Sequence, residues 1–92
     1  MVSEIMTTDI TLKQSARIDR FVEGLEGKTR EIATAYLRIP NTPDCQPEIL
    51  ALSLRFGGEL SIVTGLIESL RQELRLNYNA LQPELQRRLY QN

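Results

Sequence analysis

EILALSLRFGGELSIVTGLIESLRQELRL, residues 48–76, decides the fold. Within it Ile49, Leu52, Phe56, Leu60, Val63, Ile67, Leu70 and Leu74 recur at steps of three and four. Side chains at that spacing stack on one side of an α-helix, so the stretch predicts an apolar seam that other helices must cover. Arg55, Glu59, Ser61, Glu68, Arg71, Gln72 and Arg75 fall on the opposite side, where water solvates them. Gly57-Gly58 supports a competing reading. Leu50, Leu52, Leu54 and Phe56 alternate before the glycines and Leu60 and Ile62 after them, which is a hairpin pattern. Residue types favour the helix: Leu, Ala, Glu and Arg are good helix formers, and β-branched residues are nearly absent before Gly57. Two glycines in an unbroken rod cost about 2 kcal/mol. The expected arrangement is therefore a short helix, a turn, and a long helix from about Gly58 to Asn77.

Outward from this stretch, PNTPDCQP at residues 40–47 holds Pro40, Pro43 and Pro47. Proline removes an amide donor and pushes its predecessor out of the helical region, so residues 39–47 read as a loop. Pro47 followed by Glu48 suits the opening turn of the next helix. Beyond Asn77 and Asn79, which tolerate helix-ending geometry, LQPELQRRLY sets Leu81, Leu85 and Leu89 on one stripe. Pro83 predicts a separate or kinked short helix there.

On the N-terminal side, Thr11 and Gln14 fit a capping box that opens a helix near Leu12. Ile18, Phe21, Val22 and Leu25 form its apolar face, with Gly24 and Gly27 as interruptions. Thr29 is a possible cap for a second helix. However, Phe21, Leu25, Ile32, Ala35 and Tyr36 keep one period across the glycines, which favours a single long, bent helix over residues 12–38. Residues 1–8 carry no period and are expected to fray.

Ninety-two residues make one domain with a feasible but thin core. The fold class expected is all-α, a small bundle of three to four helices in one domain over residues 1–92. Homodimerisation would complete it, because the stripes from Phe21 to Tyr36, Ile49 to Leu74 and Leu81 to Leu89 are one-sided and must all be covered. The candidate interface is Phe21, Leu25, Phe56, Leu60, Val63, Ile67, Leu70, Leu74, Leu85 and Leu89.

The chain offers little material for catalysis. Histidine is absent, which removes the commonest general base and metal ligand. The one cysteine, Cys45, sits beside Asp44, and a neighbouring carboxylate disfavours the thiolate. The closest acids, Glu23 with Glu26 and Glu68 with Glu73, follow no calcium-loop pattern, and no Gly-Lys-Ser/Thr follows the paired glycines. No catalytic, metal or cofactor residue is expected, and the chain reads as non-enzymatic. With one cysteine, no basic apolar leader and no apolar run near eighteen residues, a cytoplasmic location without membrane contact is expected.

Net charge is −1 with a pI near 5.4, against the broad basic surface that grips a phosphate backbone. Cations cluster in sequence at Arg71, Arg75, Arg87 and Arg88, a candidate patch for an acidic partner or phosphate. Residues 9–38 resemble, superficially, a ribbon-helix-helix arm. Ile10 and Leu12 would alternate on a short strand, Thr11 and Lys13 would face a groove, and two helices would flank a turn at Gly27. That resemblance implies a DNA-binding regulator or antitoxin. The acids Asp19, Glu23 and Glu26 in the arm's first helix oppose it. The reading that fits best is a small adaptor or regulator that displays helix faces to a protein partner and to its own copy.

Overall fold

The computed structural model describes residues 10–40 and 42–90. Among these described residues five α-helices follow one another: α1 (Leu12–Glu23), α2 (Gly27–Leu37), α3 (Gln46–Phe56), α4 (Gly58–Leu74) and α5 (Tyr78–Tyr90). A single 3-10 turn, Pro43–Cys45, leads into α3. No β-strand forms among the described residues, so the all-α expectation holds while the helix count exceeds the three or four expected. The fraying expected for residues 1–8 falls outside the described residues.

The single helix expected over residues 12–38 is two helices. Leu25 keeps the apolar period and is buried, yet it lies in the turn between them. Gly24 closes α1, its N–H pointing at the carbonyls of Arg20, Phe21 and Val22. Glu26 is extended and Gly27 takes a left-handed φ of 56°, a region open to glycine at little steric cost. The periodicity reported burial and said nothing of continuity. Nor does Thr29 cap α2, which begins two residues earlier with no side-chain cap.

Around Gly57 the expectation holds: helix stands on both sides. Gly57 has φ 64° and ψ −142°, and its N–H donates to the Ser53 carbonyl at 2.8 Å. α4 stops at Leu74, short of Asn77, because Arg75 adopts the left-handed conformation with φ 57° and ψ 43°. The proline-rich loop is also shorter than expected, since Gln46 and Pro47 already belong to the first turn of α3. α5 starts at Tyr78 and runs through Pro83, so the separate or kinked short helix expected in residues 81–90 is a separate helix of thirteen residues that begins three residues earlier.

The core is one cluster. Ile18 and Val22 of α1, Ile32, Ala33 and Leu37 of α2, Phe56 of α3, Leu60, Val63, Ile67 and Leu70 of α4, and Leu81, Leu85 and Leu89 of α5 meet in it. α2 packs against α3, α4 and α5, while α1 lies on α5 and α3 on α4. The radius of gyration, 13.5 Å, is close to the roughly 13 Å of a 100-residue domain.

Glutamines from neighbouring helices serve the open carbonyl ends. Gln82 donates to the carbonyls of Leu37 (3.0 Å) and Ile39 (3.1 Å), and Gln86 also donates to that of Leu37. The last carbonyls of a helix have no partner within it, and a side-chain amide from α5 supplies one here.

Candidate functional site

The ten side chains expected at an interface lie in the interior of one chain. Leu25, Phe56, Leu60, Val63, Ile67, Leu70, Leu85 and Leu89 are buried, and Phe21 and Leu74 pack half-buried against them. The physical reason is the break at Gly24–Gly27, which folds α2 back so that the stripes of α1, α2, α4 and α5 cover one another.

The apolar surface lies elsewhere. Leu50 and Leu54, one turn apart on α3, are 60% and 80% exposed, and Ile62 and Leu66, one turn apart on α4, are 64% and 43% exposed. Leu50, Leu54 and Ile62 belong to the alternating register of the hairpin reading and fall outside the helical seam, so the three-four spacing does not single them out as surface residues. Their neighbours carry little charge. Between Ile49 and Ile67 the charged residues are Arg55 and Glu59. Arg55 reaches Glu31 at 3.2 Å, and Glu59 takes Lys28 at 3.2 Å, both partners on α2. A cleft of 290 Å³ between α3 and α4, lined by Ile49, Ser53, Gly57, Leu60, Ser61 and Thr64 over Tyr36, is likewise uncharged.

The expected cationic patch is scattered and mostly neutralised. Arg71 pairs with Glu68 and donates to the Leu76 carbonyl at 3.3 Å. Arg87 pairs with Glu84. Arg88, with a side chain 10% exposed, joins Glu84 (2.6 Å) to Asp19 and donates to the Ser15 hydroxyl at 2.7 Å. Its role is to fasten α5 to α1. Arg87 is exposed, and so is Arg75 at the end of α4.

A different set of arginines converges on a groove of 460 Å³ along α2. Gly27, Arg30, Glu31, Thr34, Ala35 and Arg38 of α2 line it together with Arg55 of α3. These α2 positions recur at three and four, a signal present in the sequence but hidden because its charged members lie far apart in it.

Ile10 lies outside any helix, and Thr11 caps α1 through its hydroxyl, which accepts from the Gln14 N–H at 3.1 Å. Leu12 and Lys13, placed on a ribbon by the ribbon-helix-helix resemblance, are in the first turn of α1.

Cys45 lines a small cleft of 50 Å³ with Tyr36 and Tyr78. Burial, reinforced by Tyr36, pushes the Tyr78 phenol well above its ordinary value, so it stays neutral. Among the described residues no cluster of three metal-ligating side chains occurs, and no helix is long and apolar enough to cross a membrane. No family model, curated protein or solved structure matches the chain.

Proposed function

We propose that the chain is a non-enzymatic, cytoplasmic interaction module that works as a homodimer, pairing through the outer positions of α3 and α4. The observation that carries this reading is the exposure of Leu50, Leu54, Ile62 and Leu66 on consecutive helices. Fully burying a leucine or isoleucine is worth about 1.5–3 kcal/mol, so four of them supply a substantial drive for association. A second copy is the favoured occupant because the face carries almost no charge for its own copy to oppose. The two charges between Ile49 and Ile67 are held by α2, so a two-fold pairing opposes no like charges. The DNA-binding alternative draws less support, since a ribbon needs Leu12 and Lys13 extended and both are helical.

Light scattering coupled to size exclusion tests the proposal. The expected mass is about twice 10.5 kDa at micromolar concentration, returning to 10.5 kDa in a Leu54→Glu, Leu66→Glu double variant with unchanged helical content. A wild-type mass that stays near 10.5 kDa on tenfold concentration removes the reading.

A further inference from the structure

We infer that the groove along α2 is a docking site for an acidic helical segment of a protein partner. The groove is lined by three guanidiniums, those of Arg30, Arg38 and Arg55, against one carboxylate, Glu31. Outside the groove four arginines sit against acids, Arg17 on Glu73, Arg71 on Glu68, and Arg87 and Arg88 on Glu84, while Arg20 and Arg75 stand apart from one another on different elements. Arg30 and Arg38 have no carboxylate partner among the described residues. Each is instead held by neutral contacts. Arg30 donates one N–H to the Val22 carbonyl at 3.3 Å, and Arg38 donates through Nε to the Tyr90 hydroxyl at 3.2 Å and lies 5.4 Å over the Tyr90 ring. Arg55 donates to the Glu31 carboxylate at 3.2 Å and lies 4.8 Å over the Phe56 ring. A guanidinium has five N–H donors, so each of these contacts orients the group and leaves most of its fork available. Side chains already held in place lose less freedom when a ligand arrives.

Geometry selects a helix as the occupant. Arg30 and Arg38 are two turns apart on α2, about 12 Å along its axis at 1.5 Å per residue. Carboxylates seven or eight residues apart on a partner helix span the same distance. Between the arginines stand Thr34 and Ala35, with Gly27 at the N-terminal end, small enough to let another backbone lie close. A nucleic acid fits less well, because Glu31 lies in the lining and a strand carries charge at every step, whereas a helix can set its carboxylates opposite the arginines alone.

The test is fluorescence anisotropy with a labelled helical peptide bearing glutamate at every fourth position. An isosteric glutamine peptide and a labelled single-stranded oligonucleotide run beside it. Saturable binding of the glutamate peptide is expected, weaker by about tenfold for each of Arg30→Gln and Arg38→Gln, the scale of one charge-assisted contact. Arg75→Gln, outside the groove, should bind as wild type, which separates a local effect from lost net charge. Absence of saturable binding, equal affinity for the glutamine peptide, or unchanged affinity in both groove variants overturns the proposal. Tighter binding of the oligonucleotide overturns it in favour of a nucleic-acid groove. Leu66→Gln, on α4 and outside the groove lining, weakens the apolar face without adding charge and should still bind the peptide, so this site and the homodimer proposal fail separately.

Discussion

Gln14 on α1 donates from Nε2 to the backbone carbonyl of Leu74, 60 residues away at the end of α4, over 2.7 Å. The same side-chain amide accepts from the Thr11 N–H at 2.9 Å, completing a capping box. One glutamine therefore closes the start of one helix and the end of another. Replacing it with alanine removes both functions. A lost cap costs about 0.5–2 kcal/mol, and a lost hydrogen bond about 1 kcal/mol more. Gln14→Ala should destabilise by about 1.5–3 kcal/mol, and Thr11→Ala by about 1 kcal/mol. Gln14→Glu keeps the acceptor for Thr11 but sets a carboxylate against the negative end of α4, so it should rescue little. Urea midpoints of the three variants check this ordering.

Leu70 lies about one turn before the end of α4, 2% exposed and inside the core cluster. Leu70→Ala removes that packing and leaves a cavity, and should cost about 2–5 kcal/mol. Gln72, two positions on, is exposed and touches only the exposed Glu68 carboxylate at 3.1 Å, so Gln72→Ala should change stability by less than about 0.5 kcal/mol. Coincident denaturation curves for the two variants would reverse the face assigned to α4.

The seam from Ile49 to Leu74 was legible because a 3.6-residue repeat records burial directly, and Gly57 was legible as a break because a paired glycine weakens any helix. The turn at Gly24–Gly27 was not. Leu25 is as buried as its neighbours, and a pattern of buried positions runs on unbroken through a turn that is itself packed. The partners of Gln14, Gln82 and Gln86 were invisible for another reason: each caps a helix 43 to 60 residues away, and local spacing holds no record of such distances. Arg71, Arg75, Arg87 and Arg88 looked like a patch because they cluster in sequence, yet Glu68, Glu84 and Asp19 neutralise three of them in space. The groove arginines escaped attention because Arg30 and Arg38 join Arg55 only once α3 is packed on α2.

Arg75 is the one residue other than glycine with a positive φ among the described residues. A left-handed conformation costs an ordinary side chain roughly 1–2 kcal/mol relative to glycine, less what glycine gains in the unfolded chain. Arg75 is exposed, and the backbone it holds ends α4, with its N–H donating to the Gln72 carbonyl at 3.2 Å. Arg75→Gly should therefore raise stability by about 0.5–1 kcal/mol, whereas Arg75→Val should lower it. Thermal midpoints of the pair decide whether the left-handed turn stores strain.

Glu84 is where acid should be felt first. Its carboxylate accepts from Arg88 at 2.6 Å and from Arg87, and its side chain is mostly covered. The hydrogen bond from Arg88 is the chief cause that holds the Glu84 carboxyl below its ordinary value of 4.5, with burial opposing and Arg87 assisting. A carboxyl whose folded pKa is depressed contributes stability that is present above its unfolded pKa and lost as pH falls through the folded one. Stability should thus hold from neutral pH down to about 4.5 and then fall. Glu84→Gln cannot ionise, so it should be less stable than wild type at neutral pH and show a shallower loss between about pH 5 and pH 3. The two curves should approach each other at the acid end, where Glu84 is itself protonated. Glu68, lowered by the hydrogen bond from Arg71, contributes in the same direction, but it is exposed and solvent screens it, so Glu68→Gln should follow the wild-type curve closely. Urea midpoints taken every half unit of pH give the result. Parallel wild-type and Glu84→Gln curves would show that the Arg88–Glu84 contact adds nothing to the α1–α5 fastening.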